Sequence, residues 1–400
     1  MLIKNCSYIL TQNPKREILR NCDILIEGNR IKKIAKNIPS KAEEKEEVVS
    51  GKNKVVMPGL INTHTHLGAH SLKGICDGKE LFEWLSIVSR EESKLSEKQV
   101  YENTLQGIKE AIRSGTTTLY DSYKFPEARI KAFKETGIRA FASSTVRKKE
   151  DLRNAMKLIK MKKPELVKPI IAAHSVYESD EETLRKVNEI SKEFNLIKRI
   201  HCGETRKERY DTLKKTGKLV VEYLDSIDFL DEKSLLVHCI WITKGEIKKI
   251  AERNAKVSHN PISNMKLASG GVMPLIEMQK EKIIIGLGTD GVYSNNNLDL
   301  FEEMKVCALL HKMHRWSASA INSQDVVDIA TINGAACLGM NDVGAIEEGM
   351  KADIISLEIS HNLQPMNDLA SNIVYCVNGN DVMDSIIDGK IAMKERELMM

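Results

Sequence analysis

The 400-residue sequence has no C-x-x-C pair, no G-x-G-x-x-G after a first strand and no concentrated basic face. Nor does it hold an apolar run of about 18 residues, the length a membrane-spanning helix needs. Each absence excludes something. With Lys+Arg at 60 and Asp+Glu at 56, the net charge of +4 argues against a nucleic-acid binder. The cluster Lys157, Lys160, Lys162, Lys163 and Lys168 reads as a solvated helix face and its exit loop. The eight cysteines are scattered, so no disulfide framework is expected and a reducing, cytoplasmic setting is the simpler reading. Met1 to Arg16 lacks a charged start followed by an apolar core, so no signal peptide is expected.

What is present has two textures. Residues up to about 55 read as short strands, among them Leu2–Cys6, Cys22–Gly28 and Asn29–Ile34, with a hairpin turn at Glu27-Gly28-Asn29. Ala352–Leu357 and Ser385–Lys390 look the same. Chain ends usually lie close together, so the two are expected to form one small β domain. Between them apolar runs alternate with helical patterns, the clearest helices being Glu97–Ser114, closed by Gly115, and Ser179–Phe194. The runs are Leu60–His66, Thr116–Asp121, Ile138–Ser144, Pro169–His174, Leu196–His201, Leu235–Cys239, Lys256–His259 and Ile283–Asp290. Eight strands alternating with helices predict an α/β fold, a closed (β/α)8 barrel, with a doubly wound open sheet as the runner-up.

In such a barrel, chemistry sits at the C-terminal strand ends. Those ends carry His64 and His66, Asp121, His174, His201, His238, His259 and Asp290. Packing does not explain so many polar ends. In His64-Thr65-His66 the two imidazoles share one side of a strand. Three or more histidines with a carboxylate suit a borderline divalent metal such as Zn²⁺, which makes hydroxide available near neutral pH. Glu204, just past His201, is placed as a proton carrier. Asp290 reads as a ligand or general base, and His238 as functional. His259 either serves the site or caps its loop. His70, His311, His314 and His361 read as structural or surface residues, and Glu92 as part of an exposed helix end.

Pro58–His66, His201-Cys202-Gly203-Glu204-Thr205, Ser258-His259-Asn260-Pro261 and Gly288-Thr289-Asp290-Gly291 together resemble the metal-dependent amidohydrolase superfamily. Glu83-Trp84-Leu85 and Ser294–Lys305 narrow the resemblance to the 5'-methylthioadenosine/S-adenosylhomocysteine deaminases and the archaeal 5'-deoxyadenosine deaminases. It implies a barrel over 57–345, flanked by a β-sandwich built from 1–56 and 346–400. One Zn²⁺ per chain is implied on His64, His66, His201 and Asp290, with Fe²⁺ or Mn²⁺ as alternatives. Hydroxide would attack C6 of adenine, held by His238. Glu204 would protonate the ring nitrogen, and Asp290 would take the hydroxide proton before ammonia leaves. Glu92 is implied to bind the ribose hydroxyls and His174 the substrate. A nucleoside as partner and a homo-oligomeric state are implied too.

The sequence departs from that branch at two places. Ser144 stands where an arginine near the 5' end of the substrate is expected, with Arg147 three residues on as a substitute, and this favours 5'-deoxyadenosine or 5'-methylthioadenosine over substrates with a long charged tail. Cys202-Gly203 precedes Glu204 where Leu-Ala or Ser-type pairs are usual. Two other functions compete: hydrolysis at a free purine, pyrimidine or triazine ring, and a non-catalytic binding homologue.

Overall fold

The computed structural model describes residues 1–39, 47–79 and 81–400, with the backbone alone at 81 and 82. All eight anticipated strands form, and neighbours pair in parallel. Leu60–Thr65, Thr116–Ser122, Arg139–Ser143 and Val167–Pro169 make one hydrogen-bonded arc. Thr145–Val146, Ile171–Ser175, Lys198–Cys202, Ser234–His238, Lys256–His259 and Ile285–Leu287 make the other. Strands three and four each break once, at Ser144 and Ile170, and their halves fall in different arcs. Ile170 N–H donates to Ala142 across that seam (2.9 Å). The other seam closes where Asp290 N–H donates to the His64 carbonyl (2.9 Å), with Thr65 and Asp290 bridged. Helices cover the outside and side chains fill the inside, so most strand residues are buried on both faces. That is why they read as continuous runs rather than alternations.

Gly288 lets the eighth strand approach the first. A β-carbon there would lie 2.7 Å from His64 Cβ and 2.3 Å from Asn260 Oδ1. The helix Glu97–Arg113 starts at a reciprocal Ser96/Gln99 cap. The next helix expected from Ser179 begins instead at Glu181, because the Asp180 carboxylate accepts from Thr183 N–H (2.8 Å) and is the stronger cap.

The chain ends do assemble together, hydrogen-bonded as one nine-stranded mixed sheet. Lys54–Pro58 of the N-terminal part pairs antiparallel with Ile354–Glu358 of the C-terminal part. The two-residue turn between Ile18–Glu27 and Arg30–Ala35 forms as anticipated. This sheet has its own core, including Ile3, Ile9, Ile24, Val56, Ile354 and Ile386. Arg139, on the third barrel strand, binds Asp353 (2.7 Å) and Asp388 (2.6 Å) and so ties the barrel to it. Among the described residues no helix is long and apolar enough to cross a membrane.

Candidate active site

The strand ends bring His64, His66, His201, His238, Glu204 and Asp290 to one point. His64 Nε2 lies 3.4 Å from Asp290 Oδ1 and 3.4 Å from His201 Nε2, and His66 Nε2 lies 3.4 Å from the same Oδ1. Donors about 2.0–2.1 Å from one tetrahedral ion stand about 3.3–3.4 Å apart, so this set fits a small divalent cation. The atoms around it are arranged to match. His66 Nδ1–H donates to the Ser122 carbonyl (2.8 Å), which leaves Nε2 as the lone pair facing inward. Ser263 Oγ–H and Gly291 N–H donate to the two carboxylate oxygens of Asp290 (2.7 and 2.8 Å). Burial, with the charge of Arg199 next in weight, keeps His64 and His201 neutral, which is the ligand form. Burial alone would push the Asp290 carboxyl up, but the hydrogen bond from His64, with the His66 and His238 rings close by, holds it well below the usual range.

His238 Nε2 is 3.8 Å from Glu204 Oε2. The side-chain amides of Asn264 and Asn260 donate to its Nδ1 (2.9 and 3.2 Å), so the ring proton sits on Nε2, facing the site. His238 and Asp290 both have left-handed backbone (φ +77° and +62°), a conformation that costs energy and that active sites retain. Burial raises the Glu204 carboxyl and the charge of Asp290 adds to this, while His238 opposes it. Glu208, one helical turn on, accepts the Glu204 backbone N–H (2.8 Å), and burial lifts its own pKa to about 8.

A cavity of about 370 Å³ opens beside this centre, lined by His66, Glu92, Tyr123, Ser144, Arg147, His174 and Tyr293 among others. Glu92 therefore lines this cavity and is not an exposed helix end, and burial raises its carboxyl. Arg147 reaches the same cavity as Glu92 and His174. Its Nε binds Glu178 (2.7 Å), which also contacts His174 Nδ1 (3.2 Å). Tyr293 stacks on His66 with ring centres 6.3 Å apart, and Trp84 packs on Tyr293.

Two strand-end residues lie outside the site. Asp121 turns away to accept Leu67 N–H (2.7 Å) and pairs with Arg129, both fully buried, and so fastens the second strand to the helix after it. His259 points outward from the barrel, where its Nε2 meets Nε2 of a buried His311 (3.1 Å). The Ser294–Lys305 motif is a buttress. Asn295 donates to the Thr289 carbonyl (2.8 Å) and to Glu303, and Glu303 accepts from Ile262 N–H beside Ser263.

Arg199 was not anticipated. It lies two residues before His201 on the same strand face, and that parity was the signal. Glu178, Glu208, Ser263, Asn260 and Asn264 were missed as well, because their roles run through contacts distant in sequence or through a helical turn not read for its outcome.

The chain belongs to the Amidohydrolase family, whose model matches residues 55–392. Among curated relatives, a 5'-deoxyadenosine deaminase of Methanocaldococcus jannaschii is 40% identical over 100% of this chain and 95% of its own. A 5-methylthioadenosine/S-adenosylhomocysteine deaminase of Thermococcus sibiricus is 38% identical over 98% of this chain and 94% of its own. Among solved structures, an adenosine deaminase from Xanthomonas campestris with bound zinc superposes with a TM-score of 0.93 at 28% identity, covering 100% of this chain and 94% of that one.

Proposed function

We propose that this chain hydrolytically deaminates adenosines modified at the 5' position to the inosine-type product and ammonia. The carrying observation is the junction of two parts: a four-donor set of His64, His66, His201 and Asp290, and a 370 Å³ cavity walled by Glu92, Arg147 and His174 directly beside it. The two curated relatives above are named for substrates of this class, and the solved structure for adenosine itself.

His64, His66, His201 and Asp290 would hold a divalent ion such as Zn²⁺, which would supply an activated water at neutral pH, because metal binding lowers the pKa of water to about 7. The chain's own groups do the rest. Asp290, kept as the anion, takes the proton released as oxygen adds at C6. Glu204, whose raised pKa keeps it available as an acid, gives a proton to the ring nitrogen. His238 presents Nε2–H to the reacting centre and orients the entering oxygen. The proton on Asp290 then goes to the amino nitrogen, the C6–N bond breaks as C6=O forms and ammonia leaves, and Glu204 regains its proton from the next water. Glu92 takes the ribose hydroxyls and His174 also binds the substrate. Arg147 stands at the 5' end in place of the arginine absent at Ser144. We divide the chain for this purpose at 1–56, 57–345 and 346–400. We read it as a homo-oligomer and as cytoplasmic, the second supported by cysteines that are all free.

The test is ammonia release from 5'-deoxyadenosine, 5'-methylthioadenosine, S-adenosylhomocysteine and adenosine by zinc-loaded protein, followed as adenine-to-hypoxanthine absorbance. Release from none of them ends this reading. A free-base or triazine substrate is distinguished by Glu92→Ala, which then leaves turnover unchanged because such a substrate has no ribose.

A further inference from the structure

No step above uses Arg199, although it sits at the centre of the site. Residues 199 and 201 share a strand face, so Arg199 enters the barrel directly beneath His201. Its exposure is 0%. Nη2 is pressed against Nε2 of His201 and lies over the ring of His64, 3.0 Å from its Nε2 and 3.2 Å from its Nδ1. Nε and Nη1 have no hydrogen-bond partner. Asp290 and Glu204 act on it through space, without a hydrogen bond. A buried guanidinium is ordinarily paired with a carboxylate, because an unpaired buried charge is costly. This one is placed instead against the His201 nitrogen that the proposed metal needs and over the ring of His64. A lone pair that accepts an N–H cannot also bind a cation, and a fixed positive charge beside a dication in a dry site opposes it strongly.

We propose that Arg199 is a built-in competitor for the metal: its guanidinium contends with the divalent cation for Nε2 of His201 and sets a positive charge beside His64. The chain therefore holds its metal more weakly than the same four ligands would without it. The inference rests on reading those ligands as a metal site. Its consequence is a metal that exchanges with its surroundings, so that the loaded fraction follows the free metal concentration.

The test needs no substrate. Chelator-stripped wild type, R199M, R199Q and R199K are titrated with Zn²⁺ against a chromophoric chelator, and bound zinc per chain is measured by elemental analysis. The two neutral variants differ in shape, so tightening common to both reports the lost charge. The dissociation constant is expected to fall by about tenfold or more in R199M and R199Q, given the strength of like-charge repulsion at this separation. R199K, which keeps the charge, stays near wild type. If one neutral variant does not fold, the other with R199K still decides. Neutral variants that bind no tighter than wild type, or more weakly, overturn the proposal while leaving deamination by the loaded wild type intact. Zinc binding by none of the four chains overturns the metal reading as well.

Discussion

Glu204 and Glu208 show what burial does to two carboxyls four residues apart. Glu204 faces the reaction, and Glu208 holds its backbone from behind (2.8 Å). Glu204→Gln is expected to lower kcat by about 10²–10⁴, the usual weight of a general acid, with bound zinc unchanged; steady-state kinetics with metal analysis checks both. Glu208 gives a pH effect of determinate sign. Its folded pKa, about 8, stands above the ordinary 4.5, so between those values the folded chain binds a proton the unfolded chain does not. Stability from this group therefore falls as pH rises from about 4.5 to 8. Glu208→Gln removes that slope, so its Tm relative to wild type should climb across this range, and a flat difference in thermal melts refutes it. At this scale the metal set was readable because strand parity and strand-end position need only local sequence. The same parity places Arg199 in the barrel, but a charged residue in a strand suggests solvent until closure of the barrel shows there is none.

The elements are joined by a few buried contacts. Asp121 and Arg129 bind one strand to its following helix with no exposure on either side chain. Removing one partner strands the other charge, so Asp121→Ala should cost about 3–5 kcal/mol in chemical denaturation. Gly115, between the helix Glu97–Arg113 and the second strand, has φ +87°, and a β-carbon there would lie 2.9 Å from Ile355 Cδ1. Gly115→Ala combines left-handed backbone with a close contact and should cost about 1–3 kcal/mol, read the same way. Helix positions followed from periodicity, whereas the start at Glu181 depended on which of two adjacent polar residues, Ser179 or Asp180, captured the free N–H groups. The breaks at Ser144 and Ile170 were invisible in sequence, because Ser144 closes one apolar run, Ile170 lies inside another, and only the pairing of neighbours reveals them.

For the whole molecule, the metal links function to stability. A ligand bound only by the folded chain adds about 2.7 kcal/mol when its free concentration is 100 times its dissociation constant. Chelation should therefore lower Tm and abolish ammonia release while far-UV circular dichroism stays native, since the barrel is closed by its own hydrogen bonds. Loss of the helical signal on chelation would refute this. Arg139, between Asp353 and Asp388, is the corresponding joint between the barrel and the terminal sheet.

By itself, the sequence determined the eight strands, the pairing of the chain ends and the histidines at the strand tips. These follow from periodicity, alternation and spacing, which act over a few residues. Tertiary structure alone decided that Asp121 and His259 turn away from the centre and that Glu92 and Arg147 share one cavity. It also decided that Arg199 lies against His64 and His201 and not against a carboxylate. Those outcomes depend on which surfaces meet when the barrel closes, between residues as far apart as His64 and Asp290.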